Sequence, residues 1–437
     1  MKTRLARLAV GCLTVSLFTL PLKSATVAAE LLQEAALLRG AGQLDAALAR
    51  YDRALELEPR NAAVLVQRGA VRLARREFDR ALADCEQALA LDPRSVEALN
   101  LRGGIHDAQG DFASALAALD AALRLDPRHA RSYTDRGTVR IKQGDVIAAL
   151  ADYNRALELD ARFVLAWVNR GHAHKLNGRP AEAFADYEQA LRLEPRCALA
   201  LLGRGDLAQD RGDLAVAVAD YERALALDPR LARAYISRGT ARVAGGDLKG
   251  AVDDFTRSLE LEPGQALAHA NRGAALSKLS DRQGAMADLN RAVALDARLL
   301  LARLNRAGLH VQGHDYAAAL ADYDMAIETH PGSTPAHWGR GTARALTRNF
   351  AGAEADYRRA IELDPNAIEA HRGLGQACLD QRKFREAVAA LDRAIALKPG
   401  VAELHEARGH AKYGAGDLRG AAADFDRAYD LTLAAAR

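Results

Sequence analysis

The chain has 437 residues, room for two or three ordinary domains, and combines 49% hydrophobic and 27% charged residues with only 5% aromatics. Alanine and leucine supply most of the apolar share, a helical profile that argues against sheets built from branched and aromatic side chains. The formal charge of +3, which becomes 56 basic against 57 acidic residues once the first 29 are set aside, lacks the basic surplus of a nucleic-acid binder.

In chain order, residues 1–29 come first and read differently from the rest. Lys2, Arg4 and Arg7 precede an uncharged run from Leu8 to Leu22, and Val27-Ala28-Ala29 supplies small residues for cleavage. This pattern predicts a signal peptide, a mature start near Glu30, and export to the periplasm or another extracytoplasmic space. The alternative is a retained N-terminal membrane anchor, although the run falls short of the roughly 20 residues a spanning helix needs and contains Pro21. A lipoprotein reading of Ala9-Val10-Gly11-Cys12 leaves only Leu8 to Gly11 as an insertion segment. No other transmembrane segment is expected. Beyond Cys12 stand Cys85, Cys197 and Cys378, too far apart for a disulfide framework and without a CxxC pair.

From residue 28 onward the sequence repeats every 34 residues, first visible as Pro59, Pro93, Pro127, Pro195, Pro229, Pro263, Pro331, Pro365 and Pro399. Ala161 and Ala297 fill the two vacant slots. Twelve units follow, starting at 28, 62, 96, 130, 164, 198, 232, 266, 300, 334, 368 and 402 and ending at 435. The twentieth residue of every unit is alanine, from Ala47 to Ala421, and the twenty-seventh is alanine except at Ser258. Small residues two turns apart on one helix face let a neighbouring helix approach closely. In each unit the spacing predicts a helix A to about the fourteenth residue, a turn, and a helix B reaching to the proline. Gly110-Asp111, Gly144-Asp145, Gly212-Asp213, Gly246-Asp247 and Gly416-Asp417 mark the turn. There glycine takes the left-handed conformation and aspartate caps helix B.

A small residue at eight, alanine at twenty, an aromatic or leucine at twenty-four, alanine at twenty-seven and proline at thirty-two resemble the tetratricopeptide repeat (TPR). The resemblance covers residues 28–435 and implies an all-α fold, a TPR α-solenoid in which antiparallel helix pairs stack as one right-handed superhelix over 30–437. It further implies a concave groove lined by A helices.

The seventh residue departs from the family pattern. Nine units carry arginine there and aspartate at the twenty-third residue, among them Arg68 with Asp84, Arg136 with Asp152, Arg204 with Asp220 and Arg238 with Asp254. The first unit exchanges the signs, with Glu34 and Arg50, the eleventh carries neither, with Leu374 and Ala390, and the third has Arg102 without an acid. Joint exchange and joint loss predict an ion pair between helix A and helix B. Arg72, His106, Arg140, His174, Arg242, His310, Arg344 and Lys412, one turn further along, raise an anion-binding stripe as an alternative.

Catalytic and cofactor chemistry have no carrier. No glycine-rich phosphate loop or nucleophile elbow is present, no cofactor is implied, and the protein is not expected to be an enzyme. His269, His337, His371 and His405 recur at the fourth residue of their units. Equivalent positions in stacked helices lie about 8–10 Å apart, too far to share a metal ion whose ligands sit at roughly 2 Å, and the family packs this position between units.

The function implied is a scaffold that binds a protein or peptide in the concave groove, with no role for nucleic acid. The fifth, ninth and twelfth residues of helix A face the groove in the family. The candidate lining is therefore Val168, Leu202, Ile236, Thr240, Val243, Leu304, Gly308, Val311, Trp338 and Thr342, small or apolar for the most part. The family's carboxylate clamp, with lysine at five and asparagine at nine, is absent: Val168 with His172 and Leu202 with Asp206 do not match it. Rival readings are a cytosolic adaptor or co-chaperone and a self-associating structural protein. Phe425, Tyr429, Leu431 and Leu433 have no thirteenth unit to cover them, so a weak homodimer through the C-terminal end face is a further expectation.

Overall fold

A computed structural model describes residues 19–435, with side chains from Val27 onward. The expected leader over residues 1–18 lies outside the described residues. Contacts divide the chain into a first unit ending at Leu207 and a second beginning at Ala208.

In the first unit the helices are α1 (Thr19–Gly40), α2 (Leu44–Leu57), α3 (Ala62–Ala74), α4 (Phe78–Leu91), α5 (Val96–Gln109), α6 (Phe112–Leu125), α7 (Ala130–Lys142), α8 (Val146–Leu159), α9 (Val164–Leu176) and α10 (Pro180–Leu193). Helix α11 (Ala198–Asp210) contains the division. In the second unit follow α12 (Leu214–Leu227), α13 (Ala232–Ala244), α14 (Leu248–Leu261), α15 (Ala266–Lys278), α16 (Arg282–Leu295), α17 (Leu300–Gln312), α18 (Tyr316–Thr329), α19 (Thr334–Leu346), α20 (Phe350–Leu363), α21 (Ile368–Asp380), α22 (Phe384–Leu397), α23 (Ala402–Gly414) and α24 (Leu418–Ala435). Each unit is a helical solenoid of A and B helices alternating along the chain, and among the described residues there is no strand. None of these helices is long and apolar enough to cross a membrane. Helix α1 starts ahead of the repeat frame, so the expected cleavage point after Ala29 lies inside it, next to the buried Ala28.

The turns follow the local chemistry. Gly110, Gly144, Gly212, Gly246 and Gly416 have φ between 80° and 87°. The Asp111, Asp145, Asp247 and Asp417 side chains accept hydrogen bonds from backbone N–H groups three residues on, at 2.8–3.1 Å. These bonds satisfy donors that the first turn of a helix leaves open. Asp213 makes no such bond. Arg76, Ser280, His314, Arg348 and Arg382 hold the same left-handed turn without glycine, with φ of 59–67°.

Packing inside each repeat rests on an alanine and a glycine. The twentieth-residue alanines are buried throughout, with exposures of 0–2%. Opposite, the glycine at the eighth residue of helix A meets the large side chain at the twenty-fourth residue of helix B. A Cβ on Gly137 would lie 2.7 Å from Tyr153, and one on Gly239 would lie 2.7 Å from Phe255. Tyr153 and Phe255 are fully buried by this arrangement, each contributing about 1.5–3 kcal/mol by the usual burial scale.

Candidate functional site

The arginine and aspartate pairs form where the sequence places them. Within one unit, Arg68 meets Asp84, Arg136 Asp152, Arg170 Asp186, Arg238 Asp254, Arg272 Asp288, Arg306 Asp322 and Arg340 Asp356 at 2.5–2.7 Å. Arg408 likewise donates to Asp424, Nε to Oδ2 at 2.8 Å. The exchanged pair of Glu34 and Arg50 closes at 2.7 Å. The aspartates are buried, so each of these charges is desolvated and depends on its partners.

Two features of this ladder lay beyond the sequence reading. First, the arginine also reaches back to the twenty-fifth residue of the preceding repeat. Arg68 bonds Asp52, Arg136 Asp120, Arg170 Asn154, Arg204 Glu188, Arg272 Thr256, Arg306 Asn290, Arg340 Asp324 and Arg408 Asp392, at 2.5–3.0 Å. Second, the cations one turn along helix A turn onto the same aspartates. Arg72, Arg140, Arg242, Arg344 and Lys412 lie 2.7–2.9 Å from Asp84, Asp152, Asp254, Asp356 and Asp424. The anion-binding stripe is thereby corrected at these five positions, whose cations already hold carboxylates of this chain, while His106, His174 and His310 stand 3.6–3.9 Å from Asp111, Asp186 and Asp315.

The fourth-residue histidines serve the junctions between repeats. Nε2 of His269, His337, His371 and His405 lies 3.0–3.3 Å from the carbonyl oxygen of the proline six residues earlier. A carbonyl only accepts, so Nε2 carries a proton in each; Nδ1 is left as an acceptor wherever no carboxylate faces it, whereas at His269 it donates to one. His269 Nδ1 lies 2.9 Å from Asp288.

Among the described residues, one set of potential metal-ligand atoms converges, from Glu354, Cys378 and Glu386, within 4.8 Å of one another. Lys383 at 2.7 Å and Arg358 at 2.9 Å already hold Glu354, and Arg358 also reaches Glu386 at 3.2 Å. Burial pushes the Cys378 thiol up to about 11, away from the thiolate a metal requires. The cluster is satisfied by its own cations.

The residues expected to line a groove fall into different settings. Val168 and Leu202 are buried in the first unit, Val168 within a core cluster that includes Tyr187 and Leu207. In the second unit Ile236 and Val243 pack beside Phe255, and Leu304 and Val311 beside Tyr323. Thr240 spends its hydroxyl on the Ile236 carbonyl at 2.8 Å, and Gly308 opens onto free space. Trp338 and Thr342 are brought together, lining a concavity of about 470 Å³ built by α19, α21 and α23. Its wall also carries Glu369, Arg372, Asp380 and Glu403, charges outside the expected set that come mostly from other positions of helix A. The first unit has a corresponding recess of about 330 Å³ between α3, α5 and α7, lined in part by Asn100, Asp107, Arg131 and Asp135. Asn100 donates to Asp135 at 2.7 Å and accepts from Ser132 at 2.7 Å. Burial pushes the Asp135 carboxyl up, against the opposing pull of Asn100 and Arg131.

At the C-terminal end, Tyr429 and Leu433 are exposed, whereas Phe425 and Leu431 are half-buried, Phe425 packing edge-on against His410.

Models of the tetratricopeptide repeat match residues 32–95, 66–130, 134–195, 168–232, 304–368, 340–402 and 372–436, and a second repeat model matches 103–164. The chain belongs to the tetratricopeptide repeat family. No curated protein matches this TPR chain. Among solved structures it is similar to the APC/C hetero-tetramer Cut9-Hcn1, at 14% identity and a TM-score of 0.55, covering 91% of this chain and 99% of that one. Yeast Tom70 aligns at 18% identity with a TM-score of 0.40, over 91% and 97% of the two chains. A TPR protein from Parabacteroides merdae aligns at 22% identity and 0.45, over 57% and 99%. At these identities the likeness to Cut9-Hcn1 shows the TPR fold alone.

Proposed function

We propose that this TPR chain is a non-catalytic scaffold, exported to the cell envelope, that holds a peptide or protein segment along the surface lined by its A helices. The observation that carries the reading is the concavity at Trp338 and Thr342, where three successive A helices present an aromatic floor and a charged wall. An extended or helical segment with an apolar anchor and flanking polar groups suits that lining. The basic, apolar and small-residue succession of residues 1–29 supports export.

Crosslinking in cells, followed by identification of the captured protein, supplies the ligand. With that ligand, Trp338→Ala weakens binding at least about tenfold if the concavity is the site; unchanged affinity in Trp338→Ala removes the concavity, and unchanged affinity in Ile236→Glu as well removes the A-helix surface at α13. An intact Met1 start in the cytosol would instead favour the cytosolic adaptor. A second reading rests on exposed Leu418, Tyr429 and Leu433 at the end face: two chains meet there as a weak symmetric dimer. Sedimentation at rising concentration tests it, and a monomer throughout, unaltered by Tyr429→Lys with Leu433→Lys, ends it.

A further inference from the structure

The ladder breaks in the eleventh repeat in a coordinated way. Arginine and aspartate become Leu374 and Ala390, the cation one turn along becomes Cys378, and the acceptor on the preceding helix B becomes Arg358. Acids, amides or a threonine occupy that last position in the earlier repeats, from Asp52 to Asp324. The arginine, the aspartate and the acceptor that serves them thus change together, and a guanidinium and a carboxylate are replaced by the apolar Leu374 and Ala390.

The result is a hollow of about 420 Å³ between α20, α21 and α22. Ile361, Leu374 and Ala390 give it an apolar floor, and His371 and Arg393 bring polar groups to it. It opens on the side of α21 opposite the Trp338 concavity. His371 and Leu374 face the hollow, while Glu369, Arg372, Gln376 and Asp380 face the concavity, about half a turn away at 3.6 residues per turn.

Two polar groups there stand ready. His371 is 7% exposed, its Nε2 is committed to the Pro365 carbonyl at 3.0 Å, and its Nδ1 has no partner among the described residues. In the eighth repeat the same nitrogen meets the ladder aspartate, and in the tenth and twelfth it makes no hydrogen bond although Asp356 and Asp424 are present; here Ala390 stands in the aspartate's place and the space beside the nitrogen is open. Arg393 has a single hydrogen bond among the described residues, 3.4 Å to Asn366. The other rim charges are engaged: Arg358 with Glu354 and Glu386, and Glu362 with Arg359. The unspent chemistry is therefore one guanidinium, one lone pair and an apolar floor.

We propose that this hollow binds an apolar α-amino-acid unit with a free carboxylate. The carboxylate pairs with Arg393, the nitrogen-bound hydrogen donates to His371 Nδ1, and the side chain rests on Leu374, Ala390 and Ile361. A free amino acid and the last residue of a polypeptide share this chemistry, and the site is independent of the groove lined by A helices.

The test uses the full chain and three probes followed by ligand-observed NMR and calorimetry: leucine, N-acetyl-leucine and N-acetyl-leucinamide. At least one acid binds, and the amide binds at least about tenfold more weakly for want of a charge-assisted pair. Binding of N-acetyl-leucine assigns the site to a chain terminus, and binding of leucine alone assigns it to the free amino acid; either upholds the proposal. Restoring the ladder with Leu374→Arg and Ala390→Asp fills the hollow and abolishes binding. Should that variant melt early, the exposed Arg393→Ala still decides, with a loss of about tenfold or more at unchanged thermal stability. Equal binding of acid and amide, no acid bound at about 10 mM, or affinity unaltered in Arg393→Ala overturns the proposal.

Discussion

Arg238 holds Asp254 with two hydrogen bonds, Nε to Oδ2 at 3.0 Å and Nη2 to Oδ1 at 2.6 Å, and Arg242 reaches the same Oδ2 at 2.9 Å. Asp254→Ala therefore strands two partly buried guanidinium groups and destabilises the repeat by roughly 3–5 kcal/mol. The combination Arg238→Leu, Arg242→Cys and Asp254→Ala copies Leu374, Cys378 and Ala390, and is expected to cost less than the single change. Urea unfolding of the two variants checks the order; a triple variant less stable than Asp254→Ala contradicts the argument.

Gly239→Ala places a Cβ 2.7 Å from Cε1 of Phe255, a ring that is fully buried and has no room to retreat. The overpacking costs about 1–3 kcal/mol. Gly308→Ala is the control, since no atom lies within 4 Å of its added Cβ, and it is neutral or stabilising by up to about 1 kcal/mol. Thermal melts of both variants separate crowding from helix propensity.

Glu354 titrates well below the usual carboxylate range, at about 2, chiefly because Lys383 donates to it, with burial opposing and Arg358 and Gln381 assisting. A depressed folded value gives stability that is full above the unfolded value of about 4.3 and is lost as pH falls toward 2. In Lys383→Met the Glu354 midpoint moves up, and acid unfolding of the surrounding repeats begins at higher pH. A carboxyl-resolved NMR titration reads the first effect directly.

Burial pushes the Cys85 and Cys378 thiols up to about 11. Both are expected to resist alkylation in the native protein near neutral pH, with the half-buried Cys197 reacting first, and all three to react in denaturant. Mass spectrometry of the labelled peptides gives the order. Early labelling of Cys378 would mean that the junction of α20, α21 and α22 opens.

Much of the architecture was legible because its signals are spaced identically. The prolines set the period, and the invariant alanine at the twentieth residue located the close helix contact. Glu34 and Arg50 disclosed the ion pair, since a sign exchange within one chain works as an internal double substitution. The second half of the ladder was hidden for a chemical reason. Asp52, Asn154, Glu188 and Thr256 share an acceptor oxygen rather than an identity, so no residue type repeats there. Arg72 and Arg140 stand one helical turn beyond the paired arginines, and only the structure shows their long side chains spanning that turn to Asp84 and Asp152. Arg76 and Arg348 occupy left-handed turns that a search for glycine passes over. The concavity's charge comes largely from Glu369 and Glu403, at the second residue of helix A, a position the family pattern does not mark as groove-facing.

Because eight ladder arginines are shared with the repeat before them, the order of repeats in this chain has a grammar. A repeat with arginine at its seventh residue follows one that ends in an acceptor, as Arg340 follows Asp324 and Arg408 follows Asp392. Excising residues 300–333 would seat Arg340 against Asn290, an acceptor still, and leave a shorter array in register. Excising residues 368–401 would instead set Arg408 against Arg358, like charge against like. The first excision is therefore expected to leave a folded array, and the second to destabilise the junction it creates.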